Sequence, residues 1–320
     1  MKFAIFGAGG VGGYFGGRLA ETGEDVTFVA RGAHLAAIRR SGLSVESAAG
    51  DFRISPAKAT DDPASIGKVD AVILAVKAWD VKEAAAAMRP LVGPETVVIP
   101  LENGVEAPEE LSAVLGPSSV LGGLCKIFAY IAAPGAVRHA GVEPSIAFGE
   151  MDGSESGRVR RLRTVFRRAK GVTVEEPRDI RVALWQKFVF IAPFSGVGSV
   201  TRANAGAIRS VPETRAMLRD CMRETQEVGL ARGVALSPQT FEKTLAFFET
   251  SLPEEATSSM QRDIQEGRPS ELEYQTGAVV RLGRAAGVPT PVNDFLYAAL
   301  LPQEKKARGI TAAGSRSSRE

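Results

Sequence analysis

A glycine-rich segment near the start of the chain has the residue types and spacing that bind phosphate groups. It follows the apolar run Lys2–Phe6 and opens a helical pattern, Val11–Glu21. In a G-x-G-x-x-G pattern, the first glycine permits a tight turn, the second lets the backbone approach a pyrophosphate, and the third lets helix and strand pack closely. The helix N-terminus also attracts an anion. The alternative is a glycine-rich turn without a ligand. We predict that a dinucleotide contacts the whole segment, which is Gly7, Ala8, Gly9, Gly10, Val11 and Gly12.

The end of the second apolar run bears on which dinucleotide would bind. Proteins that prefer NAD usually carry Asp or Glu there, which hydrogen-bonds the ribose hydroxyls. Here the run Asp25–Ala30 is followed by Arg31. A guanidinium at this position can pair with a 2′-phosphate through two hydrogen bonds. The sequence therefore favours NADPH/NADP over NAD, the alternative being that Arg31 is an exposed loop arginine.

A nicotinamide cofactor supplies hydride, so the protein must also supply a proton donor. The two histidines, His34 in a predicted surface turn and His139 in a predicted loop, have no neighbouring carboxylate in the sequence. Lys187 is the better candidate because it lies in the apolar segment LWQKFVFI. Burial in apolar surroundings lowers the pKa of a lysine, which makes it a usable general acid. The alternative is a lysine whose stem packs on aromatic rings while its ammonium group reaches water.

The elements that would position these residues follow from the apolar pattern of the first half of the chain. Continuous apolar runs alternate there with helical patterns such as Val81–Arg89, which ends at Pro90. Strands buried on both faces of a parallel sheet have such continuous runs. The pattern predicts an α/β, Rossmann-like, doubly wound domain over residues 1–177. Its predicted strands are Lys2–Phe6, Asp25–Ala30, Val69–Val76 and Thr96–Pro100.

From about residue 178 the strand patterns stop and helical patterns follow. Prolines mark several helix starts, and Gly233 and Gly287 mark helix ends. This predicts an all-α domain over residues 178–302, whereas the polar residues 303–320 are predicted to be a disordered tail. The predicted helices are Ile180–Ala192, Pro212–Arg232, Pro238–Glu249, Pro269–Ala286 and Pro291–Leu301.

Composition argues against several classes of protein. A chain of 320 residues with 44% hydrophobic residues can build two domains with real cores. The net charge of +2 does not favour nucleic acid as a partner. The basic cluster between Arg158 and Lys170 has apolar residues at helical spacing, which favours an amphipathic helix with a solvated basic face over a nucleic-acid patch.

The cysteines and the apolar segments bear on metal binding and compartment. Cys125 and Cys221 are far apart and form no Cys-x-x-Cys pair, so we predict no metal site and reduced thiols. No run approaches the ~20 apolar residues of a membrane span, and the start of the chain lacks the apolar core of a signal peptide. We therefore expect a cytoplasmic protein without a membrane partner.

Further motifs give the chain a resemblance to a known family over nearly its whole length except the tail. The stretch Ser258–Glu271, which reads SSMQRDIQEGRPSE, is the most distinctive of them. The chain resembles the ketopantoate reductase (2-dehydropantoate 2-reductase) family. The other segments that carry the resemblance are the glycine segment, Arg31, Val76-Lys77, Glu102-Asn103-Gly104 and Trp185-x-Lys187.

The resemblance implies an activity and a set of residue roles. The activity is NADPH-dependent reduction of a 2-oxo acid to a 2-hydroxy acid, with 2-dehydropantoate (ketopantoate), a precursor in pantothenate biosynthesis, as the first candidate. Lys187 would protonate the new alcohol, Glu271 would orient Lys187 or bind a substrate hydroxyl, and Ser259 would hold the substrate carboxylate. Asn103 would hydrogen-bond near the nicotinamide or the substrate, and Lys77 would lie near the cofactor. Taken alone, Ser259 and Glu271 would be interpreted as helix caps and Asn103 as part of a turn.

The segment after Lys187 departs from the family pattern. Pantoate-forming members typically carry asparagines four and eight residues beyond the lysine, on the same helix face. This chain has Ile191 and Ser195 at these substrate-binding positions. Pro193 lies between them and should disturb the helix, because proline removes an N–H and clashes with the preceding turn. A less polar pocket discriminates less against substrates without a hydroxyl, so we predict a preference for a more apolar 2-oxo acid or weak ketopantoate reduction.

Three alternatives stay open on the sequence. The first is a family paralogue that reduces a more apolar 2-oxo acid. The second is a 3-hydroxyacid or imine-type reductase, against which the Ser258–Glu271 segment argues. The third is a non-catalytic NADP-binding sensor, against which the retention of Lys187 and Glu271 argues. The sequence is compatible with a homodimer but does not set the oligomeric state.

Overall fold

The computed structural model describes residues 1–310. The chain divides into two compact units, the first covering Met1–Leu184 and the second beginning at Trp185. The division thus lies after Leu184, whereas the sequence placed it after residue 177.

The first unit is built around a five-stranded parallel sheet with the order β5-β2-β1-β6-β7. A four-stranded sheet, β4-β3-β10-β9, and a three-stranded sheet, β12-β11-β8, accompany it in residues 1–310. The strands are β1 (Lys2–Phe6), β2 (Asp25–Val29), β3 (Leu43–Ser47), β4 (Phe52–Ile54), β5 (Lys58–Thr60), β6 (Ala71–Leu74), β7 (Val97–Pro100), β8 (Gly122–Lys126), β9 (Ala129–Ala133), β10 (Ala136–His139), β11 (Ser145–Gly149) and β12 (Thr173–Glu175). The helices are α1 (Gly10–Glu21), α2 (Gly32–Ser41), α3 (Val81–Ala87), α4 (Ala107–Leu115) and α5 (Gly157–Phe166).

The central strand β1 shows why continuous apolar runs mark a parallel sheet. Phe3 and Ile5 belong to one apolar cluster, while Ala4 and Phe6 belong to another. Because successive side chains of a strand point to opposite faces, the two clusters cover the two faces of the sheet. Burying one large apolar side chain contributes roughly 1.5–3 kcal/mol to stability, so both faces hold the sheet in place. The predicted α/β, doubly wound arrangement is confirmed.

The shorter strands of the first unit were not predicted. Strands β4, β5 and β12 have three residues each and are partly or fully exposed. Such strands lack the continuous apolar run that identifies β1, β6 and β7. Pairing with a neighbouring strand creates them, and that pairing is not visible in a local pattern.

Most of the basic cluster between Arg158 and Lys170 lies in helix α5, as its spacing predicts, although the helix ends at Phe166. Val159, Leu162 and Phe166 are buried on its inner side. The prediction that its basic face is solvated is wrong for Arg163, which is 7% exposed and pairs with Glu155 at 3.0 Å. Burial of a guanidinium requires such a partner, because an unpaired buried charge is costly.

The second unit is helical, as predicted. Helix α6 begins in the last residues of the first unit, at Ile180, and the remaining helices belong to the second unit. The helices are α6 (Ile180–Thr201), α7 (Ala205–Ser210), α8 (Pro212–Ala231), α9 (Thr240–Thr250), α10 (Ser259–Gln265), α11 (Thr276–Ala286) and α12 (Pro291–Ala307).

Helix α6 corrects the predicted effect of Pro193. The sequence placed a helix over Ile180–Ala192 and a disturbance at the proline, whereas the helix runs through Pro193 to Thr201. The proline removes one backbone hydrogen bond. Burial of the surrounding side chains, including Val189, Phe194 and Val197, provides the packing energy that keeps the helix together.

Two further boundaries differ from those predicted. The helix expected over Pro269–Ala286 begins only at Thr276, after a short 3-10 turn, Leu272–Tyr274. The last helix continues to Ala307, so the prediction of a disordered tail is wrong for residues 303–307. Residues 311–320 of that predicted tail lie outside the described residues.

Helix α6 is also long and apolar enough to cross a membrane by length and composition. No such segment was predicted from the sequence, and α6 corrects that expectation. Its best 18-residue window has a mean hydropathy of 1.2, and 61% of that window is buried inside the protein. The core helix of a soluble protein passes the same test, and burial of this extent is what such a helix shows.

Candidate active site

Several predicted cofactor residues lie at one edge of the parallel sheet. The glycine segment follows β1, and Arg31 follows β2. Lys77 follows β6, and Asn103 follows β7. The carboxyl ends of parallel strands share an edge, and ligands bind there where neighbouring strands lead to opposite sides. Strand β1 is such a point, because it pairs with β2 on one side and β6 on the other.

The three motif glycines of the segment, Gly7, Gly9 and Gly12, differ in what a side chain at each position would meet. Gly7 has a φ of +99°, and a Cβ added there would lie 2.5 Å from Ala75 O. A Cβ added at Gly12 would lie 2.0 Å from Gly7 O, so this glycine allows α1 to approach the loop. At Gly9, by contrast, an added Cβ would meet no heavy atom of the described residues within 4 Å. The backbone of Gly9 therefore faces open space, as the approach of a pyrophosphate requires.

The first turn of α1 has the features of an anion site. Its N-cap is Gly9, no side chain of the described residues caps it, and no acidic residue lies in the first turn. The N–H groups of Gly7 and Ala8 donate to Val29 O at 3.1 and 3.2 Å, which ties the loop to the end of β2. Uncapped N–H groups and the helix dipole favour a phosphate. The residues present thus suit the pyrophosphate of a dinucleotide.

Gly10 has a neighbour that the sequence did not reveal. A Cβ added at Gly10 would lie 2.2 Å from Ala129 O, so strand β9 passes directly beside the start of α1. We predicted Gly10 as a cofactor contact, and the structure gives it a packing role with β9. Val11, the next residue, is partly buried.

His34 is a component of this region that sequence reasoning missed. Its Nε2 lies 2.8 Å from Ala8 O, and its Nδ1 accepts a hydrogen bond from Gly135 N at 3.1 Å. Because Nδ1 accepts, Nε2 carries the proton and donates to Ala8 O. Burial lowers the pKa of His34, and the bond to Ala8 O opposes that shift. Its position three residues after Arg31, in the first turn of α2, was the signal available in the sequence.

The other predicted cofactor residues at this edge of the sheet, Arg31, Lys77 and Asn103, have side chains that are exposed or partly buried. The Arg31 side chain is 76% exposed, and its Nη2 lies 3.5 Å from Glu83 Oε1. Lys77 is exposed, with Nζ 5.6 Å from the centre of the Trp79 ring. Asn103 is partly buried. An exposed guanidinium held by one long, exposed ion pair is available to a phosphate, since such surface pairs are worth about 0–1 kcal/mol.

In the second unit, helix α6 presents three predicted residues on one face. Lys187, Ile191 and Ser195 are spaced by four residues, which aligns them along the helix. Lys187 and Ile191 are partly buried, whereas Ser195 is fully buried. The Ser195 Oγ has no hydrogen-bond partner among the described residues.

Glycines on α6 allow two further site segments to approach it. A Cβ at Gly196 would lie 3.1 Å from Thr276 Oγ1, at the start of α11. A Cβ at Gly198 would lie 2.6 Å from Gln261 Oε1, on α10. Helix α10 begins with Ser259. These contacts bring the segments that carry Ser259 and Thr276 to the helix that carries Lys187.

The structure does not support the alternative interpretation of the Ser259 and Glu271 side chains as helix caps. The cap of α10 is Ser258, whose Oγ accepts from Gln261 N at 3.0 Å, so Ser259 is not the cap. Glu271 precedes the 3-10 turn and makes no side-chain cap bond there. It is 5% exposed, and its Oε2 accepts from Gln275 Nε2 at 3.2 Å. The Gln275 Oε1 atom is buried and has no hydrogen-bond partner among the described residues.

The structure also locates the two cysteines. Cys125 and Cys221 are both buried, in the first and second unit respectively, and neither is in a disulfide within the described residues. Burial raises the pKa of the Cys221 thiol well above its usual value. Within residues 1–310, no group of three or more His, Cys, Asp or Glu side chains could hold a metal ion.

The fold and the glycine loop define a pyridine-nucleotide-dependent oxidoreductase. Family models described as "Ketopantoate reductase PanE/ApbA" and its C-terminal counterpart match residues 3–153 and 179–304. A 2-dehydropantoate 2-reductase of Mesorhizobium japonicum is 33% identical over 93% of this chain and 96% of its own. The chain belongs to the ketopantoate reductase family, as its motifs predicted, and it is an oxidoreductase.

Solved structures agree with this membership. A PanE/ApbA family ketopantoate reductase from Ralstonia eutropha JMP134 has a TM-score of 0.87 and 32% identity, over 96% of this chain and 100% of that chain. A D-mandelate dehydrogenase in complex with NADH and anilino(oxo)acetate has a TM-score of 0.85 at 21% identity, over 96% of this chain and 99% of that chain. The second likeness shows the fold alone.

Proposed function

We propose that this enzyme uses NADPH to reduce a 2-oxo acid to a 2-hydroxy acid, with 2-dehydropantoate as the first candidate substrate. The observation that carries the proposal is that a family member keeps both positions associated with proton donation, Lys187 and Glu271. Glu271 is moreover buried and hydrogen-bonded, as a residue with a fixed orientation would be. Two cysteines that form no disulfide with each other are consistent with action in the reducing cytoplasm.

The two units have separate tasks in this proposal. The first unit binds the cofactor through the backbone of the glycine loop, with Arg31 on the 2′-phosphate and Lys77 nearby. When bound, NADPH supplies a hydride to C2 of the 2-oxo acid. The preference for NADPH over NADH is supported by the exposed guanidinium of Arg31 and by the absence of an acid at the end of β2.

The second unit binds the substrate and supplies the proton. Lys187 Nζ donates a proton to the C2 oxygen as that oxygen becomes a hydroxyl. Glu271 orients Lys187 or accepts a substrate hydroxyl, and Ser259 holds the carboxylate. Asn103 hydrogen-bonds near the nicotinamide or the substrate.

A second candidate substrate is a more apolar 2-oxo acid. The observation that favours it is Ile191, which places an apolar side chain one helical turn from Lys187. Ser195, one turn further, is fully buried and offers a single hydroxyl. A pocket with fewer groups for a substrate hydroxyl discriminates less against acids that lack it.

The test is NADPH oxidation by the purified protein with 2-dehydropantoate, 2-oxoisovalerate and phenylpyruvate in parallel. We expect 2-dehydropantoate to be reduced and Lys187→Ala to lower kcat at least ~100-fold, the size of a general-acid contribution. The matched control is Lys243→Ala, which removes an exposed lysine of α9 and should leave kcat unchanged. NADPH binding without oxidation by any of the three acids would contradict the proposal.

A further inference from the structure

The last turns of α12 contact the residue that precedes Glu271. Glu304 Oε1 and Oε2 each lie 3.1 Å from Ser270 N, and the Ser270 hydroxyl donates to Glu304 Oε2 at 2.5 Å. Ser270 is fully buried, and Glu304 is 5% exposed. A buried carboxylate requires donors of this kind, and Ser270 supplies two of them.

Arg308, just beyond the end of α12, completes the contact. Its Nε donates to Glu304 Oε1 at 2.5 Å, and its Nη2 donates to Ser270 O at 2.8 Å. The N–H, hydroxyl and carbonyl of Ser270 are therefore all bound by Glu304 and Arg308. We call this arrangement of Ser270, Glu304 and Arg308 the Ser270 clamp.

The backbone on the other side of Glu271 is also fixed. Leu272 N donates to Ser270 Oγ at 3.3 Å, and Glu271 O accepts from Tyr274 N and Gln275 N at 3.0 Å. The Gln275 side chain holds the Glu271 carboxylate from the start of α11. Glu271 thus lies between the Ser270 clamp and Gln275, at the start of the 3-10 turn Leu272–Tyr274.

We propose that Glu304 and Arg308 are positioning residues that set the orientation of Glu271 through Ser270. The inference rests on the proposed role of Glu271 in 2-oxo acid reduction. A carboxylate that orients a proton donor must be held within a fraction of an ångström, because a displacement of about 1 Å can cost ~100-fold in rate. Neither residue was predicted as functional, since both lie in the segment assigned to a disordered tail.

The experiment compares kinetics of Glu304→Gln and Ser270→Ala with those of wild type. Glutamine keeps the size of the side chain but replaces one acceptor with a donor that faces Ser270 or Arg308. We expect Glu304→Gln to lower kcat for the best 2-oxo acid by roughly 10- to 100-fold. Ser270→Ala should lower it less, because the backbone N–H still reaches Glu304. The affinity for NADPH, measured by fluorescence titration, should stay within about twofold, since its site lies in the first unit.

A matched control and a double variant separate positioning from general destabilisation. Arg284→Gln removes an exposed ion pair with Asp294 near the other end of α12 and should leave kcat unchanged. In a Glu271→Gln background, Glu304→Gln should cause less than about a twofold further loss, because residues that act as one unit are non-additive. An equal loss from Glu304→Gln with and without Glu271 would overturn the inference.

Hydrogen exchange gives a readout that does not depend on turnover. The amides of Ser270 and Leu272 should exchange faster in Glu304→Gln than in wild type, while amides of α8 stay protected. Unchanged exchange at these amides would overturn the inference whichever substrate is reduced. Faster exchange in a protein that reduces no 2-oxo acid would refute the proposed function and leave the clamp as the element that orders Glu271.

Discussion

The candidate site residues of the two units differ in how they are positioned. In the first unit, the predicted anion site is one contiguous segment, Gly7–Gly12, whose helix start has no side-chain cap and would bind through backbone N–H groups. In the second unit, the predicted site residues Lys187, Ser259 and Glu271 come from separate elements. Glu304, distant from them in sequence, contacts Ser270, which precedes Glu271. A backbone site depends on local conformation, whereas a side-chain site depends on how several helices pack. The first should therefore respond to substitution at the loop itself, and the second also to substitution at a distance.

The largest expected effect concerns the glycine loop, Gly7–Gly12, and tests whether its backbone binds NADPH. Gly12→Ala places a Cβ 2.0 Å from Gly7 O, so it should both destabilise the protein by about 1–3 kcal/mol and abolish NADPH binding. Gly9→Ala enters open space and should fold normally. It should still weaken NADPH binding at least ~10-fold, because its methyl group blocks the approach of the pyrophosphate. Thermal unfolding and fluorescence titration measure the two effects; normal affinity in Gly9→Ala would contradict the predicted binding mode.

The next effect concerns Arg31, the side chain proposed to select NADPH over NADH. Arg31→Ala should weaken NADPH binding by ~10- to 100-fold, the value of charge-assisted hydrogen bonds to a phosphate, and leave NADH binding unchanged. Arg39→Ala, on the helix that begins directly after Arg31, is the matched control, since Arg39 also pairs with an acidic residue, Asp61, at 3.1 Å. Titration with both cofactors measures the ratio. If both affinities fall together, Arg31 does not contact the 2′-phosphate.

A smaller effect tests substrate choice in the second unit. Ile191→Asn restores a hydrogen-bonding side chain one turn from Lys187 and should raise the ratio of kcat/KM for 2-dehydropantoate over 2-oxoisovalerate by about tenfold. Val200→Asn, a partly buried apolar position later on α6, is the control for the substitution itself. An unchanged ratio in Ile191→Asn would refute the role of Ile191 in specificity.

The smallest effect concerns His34, which joins the loop to the β9–β10 turn. Its pKa is lowered from 6.5 in the folded protein, so below about pH 6.5 the unfolded chain binds the proton more readily than the folded one. Stability should therefore fall as pH decreases below that value and be fully present above it. His34→Gln cannot be protonated and should lose less in melting temperature between pH 7.5 and 5.5 than wild type does. Because His139 is present in both proteins, an equal loss would exclude His34 as the cause.

The sequence predicted the glycine loop well because its requirements are local. Gly7 has a positive φ and Gly12 closely approaches Gly7 O, and glycine is the residue type that permits both. The long central strands were equally visible, since burial on both faces leaves a continuous apolar run. The contacts of His34 and Gly10 were not predicted, because they are made with backbone atoms of residues distant in the chain, Ala8 and Gly135 for His34 and Ala129 for Gly10.

The helical character of the second unit was predicted from the sequence, whereas several of its helix boundaries were not. Apolar spacing and prolines indicated most helices, but Pro193 suggested a break that burial of its neighbours overrides. Polar composition suggested that residues 303–307 are disordered, whereas α12 continues there and places Glu304 in a buried contact with Ser270. Composition indicates the average surroundings of a segment and does not predict the burial of a single carboxylate such as that of Glu304.

The sequence by itself determined the fold class, the family and the dinucleotide loop, because each depends on short-range pattern or on motifs that stand close together in the chain. Tertiary structure alone decided which polar groups are buried, which residues hold Glu271 and which carbonyl orients His34. The physical reason is that these properties arise when distant segments exclude water from one another. The cost of burying a polar group then selects its partner, and no local pattern carries that information.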